Sequence, residues 1–205
     1  REWVSFLHVS GFFLACAKFD SSSGHTLQFV CDKTGDIHSL KENLTSIGIT
    51  FTTESDESIV TVCSLETSKS KGHAIVSFLF DECGPNKADQ LIVWWVWKLG
   101  KEQVRQILRG YRLAHGPCLS DEDDNHKHFD LYTDCILLRD NLIRLALHAG
   151  FSATFKKEST AWIIQINDGS SSATKPIIYT TGGGVKEMEY TGRTWCVTVP
   201  SGLII

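Results

Sequence analysis

Two stretches of this chain are written to one pattern. Val9-Ser10-Gly11-Phe12-Phe13-Leu14-Ala15-Cys16-Ala17 and Ile107-Leu108-Arg109-Gly110-Tyr111-Arg112-Leu113-Ala114-His115-Gly116 each run from apolar residues into a glycine. Each then places two large side chains, Leu-Ala, one variable residue, and a final Ala or Gly. The residues downstream of each motif repeat as well. Residues 27–32, 38–48, 50–54 and 59–63 match residues 129–134, 140–150, 152–158 and 161–166 in order and in type, reading strand, helix, strand, strand. An internal repeat constrains a fold more tightly than composition does. Both copies must form one kind of unit, and the units must bury whatever face they share. The expected fold class is α/β (α+β): two pseudo-repeated αββαββ copies with antiparallel sheets, over residues 1–84 and 85–184. A strand segment over 185–205 completes the chain, which is a pseudo-dimer within itself.

The repeated motif predicts how the copies meet. Residues 3–17 carry Val4, Phe6, Leu7, Val9, Phe12, Phe13 and Leu14, so a helix here is buried on most faces. Ser10, Gly11, Ala15 and Ala17 are small enough to admit a neighbouring backbone. In residues 103–116, Gly110 and Ala114 stand four apart and share a helix face. Gly11, Ala15, Gly110 and Ala114 are the expected contact between two central helices.

Local signals fill in the rest. Ser21-Ser22-Ser23-Gly24 predicts a turn between strands. Thr34-Gly35-Asp36 offers an N-cap for a helix that Gly48 ends. Residues 51–54 and 59–63 predict a hairpin. Residues 68–72 read as a loop, 74–80 as a buried strand or short helix, and 83–87 as the linker between copies. Trp94, Trp95 and Trp97 are expected to cover the junction.

The bulk properties exclude several classes. At 205 residues and 42% hydrophobic, the chain can bury a real core. The net charge of −4 and pI near 6.1 argue against a dedicated nucleic-acid binder unless lysines gather on one face. Seven cysteines without metal-type spacing fit an intracellular, reducing compartment. No apolar run reaches the ~20 residues of a membrane span. The chain starts within an element at Arg1, as a piece of something longer would. The acidic run Asp121-Glu122-Asp123-Asp124 with His126 and His128 admits a cation-site reading, but a solvated turn is favoured because nothing fixes the ligand directions. Residues 168–172 read as a mobile loop. Thr180-Thr181-Gly182-Gly183-Gly184 has no lysine-serine pair and no helix start behind it, so it is not a phosphate loop.

The repeated Gly-x-x-Leu-Ala-x-Gly helix, with strands behind it, resembles the LAGLIDADG homing endonucleases of the type carried inside inteins. Leu99-Gly100-Lys101-Glu102-Gln103 is similar to the run before that family's second motif. Residues 138–153 resemble the helix after it. Residues 185–202, from Val185 to Gly202, resemble the strand that returns to an intein splicing domain. The resemblance implies a saddle: paired motif helices at a pseudo-twofold, and two antiparallel sheets forming a concave face for double-stranded DNA. It also implies an Asp before the last Gly of each motif, the two sharing Mg²⁺ that activates water.

This chain departs from the family there. The Asp positions hold Cys16 and His115, and Asp20 falls after the helix has ended. Thiol and imidazole suit zinc better than magnesium, or would make a Cys-His nucleophilic pair. Mg²⁺ belongs to the family, and its ligands are not kept, so no cofactor and no metal are assigned. The ends that protein splicing requires are not in this sequence, which fits either splicing ends that lie outside it or a relic that has lost them. The expected function is a degenerate, cleavage-dead module that keeps nucleic-acid binding or a structural role. The alternatives are an active metal-dependent endonuclease using replaced residues, and a domesticated scaffold or interaction subunit of a larger assembly. Candidate nucleic-acid contacts are Gln28, Lys33, Thr50 and Thr52 in the first copy and Thr154, Lys156, Lys157 and Gln165 in the second. Phosphate contact is the role assigned to them.

Overall fold

A computed structural model of the chain describes residues 1–20, 26–31, 36–53, 59–62, 74, 78–79, 94–115, 128–168 and 191. Contacts divide the chain into two compact units, Arg1–Ser172 and Ala173–Ile205, and every element named below lies in the first. The first copy runs α1 (Glu2–Cys16), β1 (Ala17–Asp20), β2 (Thr26–Val30), α2 (Ile37–Ser46), β3 (Phe51–Thr53) and β4 (Ile59–Val62). A 3₁₀ turn, Trp94–Lys98, leads into the second copy. That copy runs α3 (Lys101–Ala114), β5 (His128–Thr133), α4 (Ile136–His148), β6 (Phe151–Glu158) and β7 (Ala161–Asp168).

Both sheets are antiparallel, in the orders β1-β2-β4-β3 and β5-β7-β6. The two orders superimpose once β2, β4 and β3 are matched to β5, β7 and β6. The match holds residue by residue. Gly48 and Gly150 end α2 and α4 with φ of +75° and +78°, a backbone that glycine adopts without steric cost. Three residues later come Phe51, opposite Val62, and Ala153, opposite Ile166. Val62 in turn faces Leu27, and Ile166 faces Phe129. The αββαββ plan is complete in the first copy. In the second, the described elements make αβαββ with a three-stranded sheet. The place matching β1 falls within 116–127, outside the described residues, as do the copy boundary at 84/85 and the whole of 185–205 apart from Thr191.

Local chemistry sets the element ends. Ala17 leaves α1 directly into extended backbone (φ −71°, ψ 140°), so β1 starts without a linker. Asp36 caps α2, its carboxylate accepting from the Ser39 N–H at 2.9 Å. Gln103 Oε1 accepts from the Gly100 N–H at 2.9 Å at the start of α3. The core is continuous through both copies. Phe12, Phe13, Leu27, Phe29, Leu40 and Leu44 join Ile107, Leu108, Tyr111, Leu131, Leu142 and Ile164, all buried. At about 25 cal/mol per Å² of apolar surface buried, side chains of this size each contribute roughly 1.5–3 kcal/mol.

α1 and α3 meet at the two motif glycines. A Cβ on Gly11 would overlap the Ile107 carbonyl oxygen, and one on Gly110 would overlap the His8 carbonyl oxygen. Ala15 and Ala114 are buried beside them. Of the three tryptophans expected at the junction, Trp95 reaches α1, Trp97 packs on α4, and Trp94 is 62% exposed. Trp95 packs against Trp3 and Phe6 of α1 and against Phe78. Trp97 lies edge-on to His148 of α4, with the Arg144 guanidinium 4.2 Å from its ring centroid. Ala74, Phe78 and Leu79 are helical, and the other residues of 74–80 lie outside the described ones.

His8 sits in this helix interface, its Nε2 2.7 Å from Gln106 Oε1. Burial holds its pKa below the ordinary 6.5; the nearby Arg109 charge adds to the lowering, and hydrogen bonds to Gln106 and Asn43 partly offset it. A base with a depressed folded pKa takes up its proton more readily when unfolded. Its contribution is therefore present above pH ~6.5 and is lost as pH falls from there through the folded pKa. Melting temperature should decline on acidification below that point in the wild type, and less steeply in His8→Gln. Parallel curves for the two proteins would contradict the assignment.

Candidate nucleic-acid interface

The motif helices end side by side, and their last residues differ in surroundings. Cys16 is 4% exposed. Its Sγ donates to the Phe12 carbonyl at 3.3 Å and lies 3.4 Å from Cys31 Sγ, so the thiol faces the first copy's core. His115 is the C-cap of α3. Its ring packs 5.4 Å from Tyr111 and 6.3 Å from Tyr132, centroid to centroid. It lines a cleft of about 530 Å³ with Leu14, Ala15, Thr133, Asp134 and Cys135. Tyr111 is fully buried, its hydroxyl donating to the Tyr132 carbonyl at 2.7 Å. Burial pushes that phenol well above its usual pKa, so it stays a neutral donor.

These residues do not fit Mg²⁺. The ion requires several hard oxygens in near-octahedral array. Asp134 is the one carboxylate lining the cleft among the described residues. Nor do the described residues contain a group of three His, Cys, Asp or Glu that could hold a metal ion. A thiol as buried as Cys16 is out of reach of a macromolecular substrate, so it is poorly placed as a nucleophile toward one. Asp20 ends β1 and lies beyond the helix, as the sequence implied.

The strand registers sort the sheet residues into faces, because directly paired residues share a side. In the second copy, Phe129, Leu131, Ile164, Ile166, Phe151 and Phe155 point toward the helices. Asp130, Gln165 and Thr154 are mutual partners across β5, β7 and β6 and form a row on the opposite, helix-free face. In the first copy, Lys18, Gln28, position 61 and Thr52 form the corresponding row across β1, β2, β4 and β3. Gln28 and Gln165 are half-buried, while Lys18, Thr52 and Thr154 are exposed. Thr50 is exposed just before β3. Lys156 shares the helix-free face, 2.6 Å from Glu158.

One candidate, Lys157, is not brought to that face, and the face of another is not described. Lys33 lies outside the described residues. Lys157, next to Lys156 in the strand, must point the other way, and its ammonium sits over Trp162 at 5.3 Å. The expected gathering of basic charge on one face is therefore not found among the described residues: Lys18 and Lys156 are balanced there by Asp130 and Glu158. The arginines of the second copy's helices go elsewhere. Arg105, Arg112 and Arg139 lie over Phe151, Phe129 and Trp162, at 4.6, 5.3 and 4.2 Å. Nothing in the sequence marks Lys18, because its strand begins at the very end of a helix, with no turn residue to announce it. Of the acidic loop, His128 is described: it is exposed on β5 and bonds to Asn167. Asp123 and His126 lie outside the described residues.

No protein-family model and no curated protein matches the sequence. Solved structures do. I-DmoI in complex with DNA and Mn is 9% identical with a TM-score of 0.47, over 82% of this chain and 91% of that one. I-DmoI in complex with DNA and Ca is 10% identical with a TM-score of 0.48, over 81% and 84%. Mesophilic variants from the homing endonuclease I-DmoI give 9% and 0.47, over 80% and 85%. At these identities and scores, the function of this chain has to rest on its own geometry. No helix among the described residues is long and apolar enough to cross a membrane.

Proposed function

We propose that the chain is a LAGLIDADG-like nucleic-acid-binding module that does not cut its ligand. The observation that carries this reading is the contrast between scaffold and helix ends. The glycine-to-glycine helix contact and the register of both sheets follow one plan, whereas the two residues at the motif ends are a core thiol and a tyrosine-packed imidazole. Water held there keeps its ordinary high pKa, since the described residues lining the cleft include one carboxylate, Asp134, and not a pair to gather a divalent cation. With no net basic face among the described residues, binding rests on the matched rows of Gln28 with Thr52 and Gln165 with Thr154, which offer uncharged hydrogen-bonding groups to a duplex, and on phosphate contacts from Lys18 and Lys156, so it is expected at low salt only. In this reading the copies span 1–84 and 85–184, and 185–205 is the strand returning to an intein splicing domain.

Binding to double-stranded DNA across a salt series tests it. Each phosphate contact contributes about 0.9 to the slope of log affinity against log salt. Lys18→Ala and Lys156→Ala should each flatten the slope by roughly that amount, and Lys157→Ala should leave it unchanged. Equal effects from all three lysines would remove the face assignment.

A scaffold role is the second reading. Trp3, Val4, Phe78 and Trp94 stay exposed around the start of α1, an apolar surface suited to a protein assembly. Failure to bind DNA at low salt would favour it.

A further inference from the structure

We propose that Cys16 and Cys31 are an oxidant-sensitive dithiol that closes to a disulfide, tying the end of α1 to the end of β2. The proposal does not rest on nucleic-acid binding. Both residues are thiols in this structure, both are 4% exposed, and their sulfurs lie 3.4 Å apart. The adjoining backbone is already joined: Ala17, next after Cys16, pairs with Phe29 in the β1–β2 ladder, two residues before Cys31. A disulfide requires the sulfurs to approach by roughly 1.4 Å more, to 2.03–2.05 Å. Cys16 gives up its weak hydrogen bond to the Phe12 carbonyl in doing so.

The oxidant class follows from burial. A small hydroperoxide enters where a bulky disulfide reagent does not. One thiolate attacks a peroxide oxygen, the O–O bond breaks, and water leaves a sulfenic acid. The other thiol attacks that sulfur and expels a second water, so two thiols and one H₂O₂ give one disulfide and two waters. The product closes a loop of 15 positions in sequence. It locks in place a residue that the family resemblance puts at the cation site.

The test treats the folded chain with hydrogen peroxide, alkylates remaining thiols and digests with trypsin. Cleavage after Arg1, Lys18 and Lys33 leaves Cys16 and Cys31 on separate peptides. The expected product is those two peptides joined, with a rise in melting temperature of roughly 6–12 °C that a thiol reductant reverses. Oxidised glutathione should produce the link more slowly than peroxide. In Cys31→Ser, the rise should vanish. The proposal is overturned if both peptides are recovered singly at a dose that oxidises the half-buried Cys135. It is equally overturned if Cys16 is linked elsewhere, or if the rise persists in Cys31→Ser.

Discussion

Gly110→Ala should cost at least the upper part of the roughly 1–3 kcal/mol typical of overpacking, and Gly110→Leu should leave little folded protein. The new methyl would overlap the His8 carbonyl oxygen. That obstacle is backbone inside a helix, so it cannot swing aside as a side chain would. The helices must move apart, and every buried contact along α1 and α3 loosens with them. Gly11→Ala meets the Ile107 carbonyl in the same way, so the two substitutions disrupt one contact and their costs should not add. Gly48→Ala is the control. A Cβ there meets nothing within 4 Å, and its φ of +75° alone costs about 1–2 kcal/mol. Urea titration measures all four variants. A Gly110→Ala protein with wild-type stability would contradict the paired-helix arrangement.

The second large effect concerns the helix ends. His115→Asp should fold, because that side chain borders a cleft containing Asp134. Cys16→Asp should not be tolerated, because its side chain enters the core against Cys31 and the Phe12 carbonyl. An unpaired carboxylate buried there costs several kcal/mol or takes up a proton, and neither outcome makes a ligand for Mg²⁺. The double variant should therefore lose roughly 3–5 kcal/mol and recover little of it in millimolar Mg²⁺. Thermal melts with and without the ion measure this. A large Mg²⁺-dependent rise in the double variant would mean that the two positions still converge on one cation site.

Features set by neighbouring residues were legible in the sequence. Gly48 and Gly150 end their helices where the pattern put them, Asp36 caps α2, and β3 pairs antiparallel with β4. The contact of Gly11 with Gly110 was legible for another reason: a repeated glycine inside an apolar helix has few uses besides close packing. Direction was harder. Lys156 and Lys157 read alike as neighbours, yet adjacent strand residues face opposite ways, and only the packing of Phe155 and Trp162 toward the helices shows which lysine is left outside. The place of Cys16 depends on Ala17 taking extended backbone at once, which carries β2 and Cys31 back beside the helix end. The turn read at residues 21–24 announces that a strand returns, but nothing marks the start of β1 at Ala17, which sets the register that brings Cys31 beside Cys16.

The central claim is that this scaffold holds duplex nucleic acid without cutting it. Fluorescence anisotropy with labelled double-stranded DNA across a salt series in Mg²⁺, and then denaturing gels of the same samples, test both halves at once. The prediction is binding at low salt, a linear fall of log affinity with log salt, and intact strands throughout. No binding at the lowest salt, or Mg²⁺-dependent nicking that disappears in His115→Ala, would contradict it.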